Sequence, residues 1–259
     1  MNIYRGRLNK AELLRLPDHE RILFCAIAHL QNEISILLRA VLWSSDFSSD
    51  NQAEIQGQIS TSLFFVKLLA GKMREGWTLL EKFFFSHKLL SSDFQVHANH
   101  KQKEALEALS RYFGKGNVIH DVRTDFAFHY SPESLDAVLA STPDELDLYI
   151  EEEGNANSLY YFAEVLANRA VLDRVNVSNG KDAMDRFIGE VVTVAEQFTR
   201  FGQAFMSYVI KRQGQSIWQE PAKCVQFSIL PSFSEMRFPW FTDTTDGLRR
   251  KKAGENKKV

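Results

Sequence analysis

"QAEIQGQISTSLFFVKLLAGKMREGWTLLEKFFFSH", residues 52–87, decides the fold. Ile59, Leu63, Val66, Leu69, Ala70, Met73, Trp77, Leu80 and Phe84 recur in it at three- and four-residue steps. That spacing places side chains on one face of an α-helix, whereas a half-buried strand would alternate. No proline interrupts the run. The stretch therefore predicts one long helix with a continuous apolar stripe. Gly71 and Gly76 lie inside it. A mid-helix glycine costs about 1 kcal/mol relative to alanine, so close approach of a neighbouring helix is expected there.

The same periodicity appears on both sides. Residues 17–44 carry Leu23, Ala26, Ile27, Leu30, Ile34, Leu37, Leu38 and Val41 at helical steps. The run "SSDFSSDNQ" separates this helix from the next with cap-forming and turn residues. A connection that short makes the two helices antiparallel neighbours. Residues 181–213 repeat the pattern with Phe187, Val191, Val194, Phe198, Phe201, Phe205, Tyr208 and Val209. Shorter helical segments are expected at 101–113, closed by Gly114 as a C′ residue, and at about 163–175. "SSDFQVHANHK" between the second and third helices is expected to be a loop.

Composition agrees with this pattern. The 259 residues include 20 Phe but only 13 Gly and 6 Pro, a ratio that favours long helices over many short strands. One segment departs from it. "ELDLYIEEE" alternates apolar and polar residues, "GNAN" reads as a turn, and "SLYYF" follows. A small β-hairpin near 146–163 is expected, too small to stand alone. The apolar, proline-punctuated stretch "KCVQFSILPSFSEMRFPWF" is expected to wrap over the helices or over a neighbouring subunit. The predicted fold is all-α: an antiparallel helical bundle with a hairpin insertion, residues 1–240 forming one domain. Residues 241–259 form a basic tail, expected to be solvated and disordered.

A net charge of −2 does not suit a general nucleic-acid binder, so any basic surface must be local. The two cysteines, Cys25 and Cys224, form no CxxC pair and suggest a reducing compartment. The first residues lack a signal-peptide core, and charges interrupt every apolar run. A cytoplasmic protein without membrane contact is expected. "HANH" sets His97 and His100 three apart, with Asp93 close by and His120 further on, but no further metal-ligand spacing accompanies them. No dinucleotide, phosphate-loop, nucleophile-elbow or zinc-finger pattern is present. No metal and no cofactor are expected.

The chemistry-bearing stretch is "VIHDVRTDFAFHY", residues 118–130. On a helical wheel Val118, Val122 and Phe126 share one face, with Arg123 and His129 at its two edges. Asp125 is one turn before His129 and can pair with it. Phe128 faces away from this stripe, which suggests cover by a partner subunit. Buried at an edge, Arg123 would need a carboxylate from another helix and His129 a hydrogen bond.

Arg123 and His129, with five residues between them near the end of a helix and preceded by two long helices, resemble the signature of the HEPN superfamily. The resemblance implies a helical bundle and a homodimer that brings two such motifs together. It also implies either a metal-independent endoribonuclease or a non-catalytic relative that binds RNA or a cognate protein. In the enzyme, His129 would move a proton at the ribose 2′-hydroxyl or the leaving oxygen. Arg123 would hold the scissile phosphate, and Asp125 would orient the imidazole. Active members usually carry Asn, Asp or His directly after the arginine. Here the residue is Thr124, which favours the non-catalytic role. A third possibility is a scaffold in which both residues only join helices.

Overall fold

A computed structural model describes residues 3–45, 48–123, 136, 138–140, 142, 144–152, 157–175, 180–212, 218–225 and 231–242. The chain is predominantly helical. Strand β1 (Ile3–Leu8) leads into α1 (Lys10–Leu14) and α2 (Asp18–Ser44). Helix α3 (Gln52–Leu80) follows and continues into a wider π-type turn, Glu81–Phe85. Then come α4 (Lys88–His97), α5 (His100–Phe113), α6 (Val118–Val122), α7 (Tyr161–Leu172) and α8 (Gly180–Arg212). Strand β2 (Trp218–Val225) returns to β1.

Asparagines start several of these helices. The Asn51 side chain accepts from the Ala53 and Glu54 amides at 2.9 and 3.4 Å, and so satisfies donors that α3 leaves unpaired. Asn99 does the same for α5, and the Gln102 side chain answers in a reciprocal capping box.

Helices α2, α3 and α8 share one core. Contacts fix their directions. Lys72 Nζ meets Glu33 Oε1 at 2.5 Å, and Ser62 Oγ lies 3.1 Å from Ser45 Oγ, so α2 and α3 run in opposite senses. Gln31 Nε2 donates to the Phe198 carbonyl at 2.9 Å, and the Arg212 guanidinium binds Glu20, so α8 also opposes α2. Phe84, Phe94, Phe187, Phe198, Phe201 and Phe205 are fully buried. The ring of Phe84 meets those of Phe94 and Phe201 edge-on at 5.5 and 5.4 Å, the arrangement that aromatic quadrupoles favour. At Gly76 an added Cβ would sit 2.5 Å from Leu30 Cδ2, so this glycine admits the close approach that its position suggests. By length and composition α2 could cross a membrane, with a mean hydropathy of 1.3. One side of it, with Leu23, Ile27, Leu30 and Ile34, is core.

Three sequence expectations need correction. The loop expected at 91–101 is largely helix: Leu90 and Phe94, one turn apart, are buried and hold α4 down through His97. Gly114 ends α5 with φ −74°, not in the left-handed region of a C′ glycine. Among the described residues of the hairpin expected at 146–163, one antiparallel bridge joins Tyr149 with Leu159, each amide donating to the other's carbonyl at 2.8 Å. Its expected second strand is cut short because the Ala163 and Glu164 amides bond back to the Tyr160 carbonyl and open α7. A two-stranded sheet instead pairs the chain's distant ends, Ile3 with Val225 and Leu8 with Trp218.

The stretch beyond β2 wraps over the chain's own helices. Phe238 donates its amide to the Trp43 carbonyl at 3.1 Å, and its ring packs edge-on against Phe65. Trp240 lies against Gly57, where an added Cβ would come within 2.6 Å of the Trp240 Cβ. Asn157 and Thr242 exchange two hydrogen bonds at 2.8 and 3.0 Å. The basic tail from 243 onward lies outside the described residues.

Candidate functional site

Asn117 builds the start of the motif helix. Its Oδ1 accepts from the His120 amide at 2.9 Å, and its Nδ2 donates to the Lys115 carbonyl at 2.9 Å. Val118, Ile119 and Val122 are buried, and α6 packs on α3. The two valines thus lie on the inward face that the wheel assigns to them. Nearby, the Tyr112 hydroxyl donates to Glu190 of α8. Burial, and then that carboxylate, pushes the phenol far above its ordinary value.

Arg123 caps α6 in helical conformation and leaves the core edge for solvent. Its Nε and Nη2 both donate to one oxygen of Glu75, at 3.0 and 2.8 Å. The side chains are 42% and 54% exposed. The guanidinium is therefore pinned to α3 and its charge is matched, as the helix-joining possibility requires. Glu75 carries no local signal in sequence, being 48 positions away. Its place on the polar side of the α3 stripe is its only clue. Thr124, Asp125, Phe126, Phe128 and His129 lie outside the described residues.

The histidines of "HANH" are engaged separately. His97 Nδ1 lies 2.9 Å from the Asp93 carbonyl and 3.4 Å from its carboxylate. His100 faces Glu104 at 3.2 Å. Among the described residues no three His, Cys, Asp or Glu side chains gather as metal ligands. Asp93 belongs to a different network. The Tyr208 hydroxyl donates to it, Arg212 Nη1 donates to Tyr208 at 2.9 Å, and the other arm of Arg212 holds buried Glu20. The Tyr208 hydrogen bond, with His97 and Arg212 behind it, holds the Asp93 carboxyl below its ordinary value. Burial and Asp93 push the Tyr208 phenol up. This network ties α2, α4 and α8 together at one end.

No protein-family model, no curated protein and no solved structure matches the chain.

Proposed function

We propose that the chain is a HEPN-like helical binding protein that is not itself a nuclease. One observation carries this: Arg123, the residue that would hold a scissile phosphate, spends its two-donor edge on Glu75. A phosphate would have to displace a carboxylate already bound, and would meet its charge. The same pairing disfavours RNA against a protein partner. Opposed directions of α2 against α3 and α8 support a bundle of the HEPN kind. Apolar side chains left exposed on α2 and α3, Ile22, Ile36, Leu42 and Phe64, support association with a second copy. The thiols of Cys25 and Cys224 are unpaired, which suits a reducing, intracellular compartment.

The test is cleavage of a mixed-sequence RNA by the wild type, Arg123→Ala, His129→Ala and Glu75→Ala, with chelator present. No cleavage by any of them is expected. Cutting by the wild type that both Arg123→Ala and His129→Ala abolish would establish the endoribonuclease instead. Light scattering at micromolar concentration reads the dimer.

A further inference from the structure

Tyr149 and Leu159 pair in an antiparallel bridge, and Leu159 is buried beneath it. Side chains alternate across such a ladder, so Leu148, Ile150 and Tyr160 share its other face. All three are exposed, Ile150 at 72%. The register sets Leu148 opposite Tyr160. Phe162, also exposed, adjoins them. Its amide donates to the Asp147 carbonyl at 3.0 Å, and its ring meets that of Tyr160 edge-on at 6.4 Å. Four large apolar side chains thus form one outward patch, the kind of surface that a partner segment covers.

Charge selects the occupant. Residues 144–164 hold seven Asp and Glu and no Lys or Arg. Asp144, Glu145 and Glu152 are exposed, and among the described residues no cation pairs with them. Asp147 accepts from the neutral Gln56 amide at 2.6 Å. An apolar face with an acidic rim suits Lys and Arg, whose hydrocarbon stems cover the face while their charges reach the rim. A guanidinium can also lie on the Tyr160 ring.

The chain brings such a segment to the patch. Phe241 packs edge-on against Tyr149 at 6.1 Å, and Thr242 exchanges two hydrogen bonds with Asn157. Residues 243–259 follow, with six Lys and Arg against three Asp and Glu. Arg249 is seven residues beyond Thr242, a reach of at most roughly 25 Å. A tether that short holds the cations at an effective concentration of about millimolar.

We propose that residues 249–252 dock on this patch of their own chain, with their stems over Leu148, Ile150 and Tyr160 and their charges toward Asp144, Glu145 and Glu152. A partner for this face must then displace the chain's own cations. The proposal is independent of Arg123 and of any reaction on RNA.

The rate of tryptic cleavage after residues 249–252 tests it, each rate taken relative to a free peptide of residues 243–259 in the same buffer. In about 20 mM salt the full chain should be cut at least about five-fold more slowly than the peptide, because several individually weak ion pairs must open together. In about 0.5 M salt, where the screening length is about 4 Å, the two rates should converge. The triple variant Asp144→Lys, Glu145→Lys, Glu152→Lys should be cut at the peptide's rate in low salt. Ile150→Ser, which keeps the acids, should lose about half of the slowing. If the triple variant does not fold by circular dichroism, Glu152→Lys alone should lose part of it. Cleavage of the wild type at the peptide's rate, or slowing that survives either high salt or the variants, would overturn the proposal. Slowing that grows with protein concentration would place a second copy's basic stretch on the patch and would overturn it too.

Discussion

Whether Arg123 joins helices or awaits a substrate can be read as a coupling energy. The two charged groups are 2.8 Å apart, but both are about half exposed. Coulomb attraction at that distance in water is about 1.5 kcal/mol. Fixing two long side chains in one geometry removes much of it, so exposed pairs retain about 0.2–1 kcal/mol. Arg123 presents two donors to one oxygen and joins separate helices, which places it near the top of that range. The perturbations are Arg123→Ala, Glu75→Ala and the double variant, each unfolded in urea. Each single change should cost about 1 kcal/mol, about 2–4 °C in Tm for a chain of this size. The coupling term of the cycle should be about 0.5–1 kcal/mol and should shrink in 1 M salt, where the screening length falls to about 3 Å. An arginine kept for catalysis would behave otherwise, because sites trade stability for function. A stabilising Arg123→Ala, or a coupling term of zero, would refute the helix-joining role.

Three further outcomes follow from the packing. Phe84→Ala should cost about 3–5 kcal/mol by denaturant midpoint, whereas Val96→Ala, at an exposed position, should stay within about 0.5 kcal/mol; equal losses would contradict the core assignment. Gly57→Ala improves helix propensity by about 1 kcal/mol but drives a methyl into the Trp240 Cβ. Limited proteolysis should then cut faster within residues 231–242, and an unchanged digest with a raised Tm would show the contact to be absent. Asp93 titrates lower in the fold than in the unfolded chain, so its stabilisation is present above the unfolded value, about pH 3.9, and is lost as pH falls through the folded one. Tyr208→Phe removes the largest cause of that shift. It should flatten the loss of stability below about pH 4, and an unchanged acid profile would exclude the network.

The long helices were legible because each carries its own evidence in a local period. Residues 17–44, 52–87 and 181–213 contain their stripes whole, and α2, α3 and α8 fall on them. Elements set by remote contacts were not legible. β1 pairs with a strand more than two hundred residues away, and neither strand alone alternates clearly. The hairpin's second strand is shorter than expected for the opposite reason: "SLYYF" alternates locally and Leu159 pairs with Tyr149, yet Tyr160 caps a helix more readily than it extends the ladder. In "SSDFQVHANHK" the helix was hidden because polar Ser91, Ser92 and Asp93 mask the two residues, Leu90 and Phe94, that are buried. At the motif, Arg123 was visible and Glu75 was not. A salt bridge between helices leaves no spacing in either partner.

Arg123 and Lys67 show that a sequence motif does not tell how a cation is held. Both are cations at helix faces, one flagged by its spacing to a histidine and the other by nothing. The flagged residue is exposed and neutralised by Glu75, so a ligand gains little there: it must break a pair and then work in high dielectric. The unflagged one is half-hidden at the end of an apolar ridge, with a neutral amide as its acceptor. Burial disfavours the charged form of Lys67, and Glu164, to which Asn168 donates, supplies the facing carboxylate. Asn168 thus stands between an ammonium and a carboxylate and joins α3 to α7. In sequence, Lys67 reads as a lone polar interruption of "SLFFVKLLAG". Only the approach of α7, which brings Asn168 and Glu164 across to α3, turns that interruption into a contact between helices.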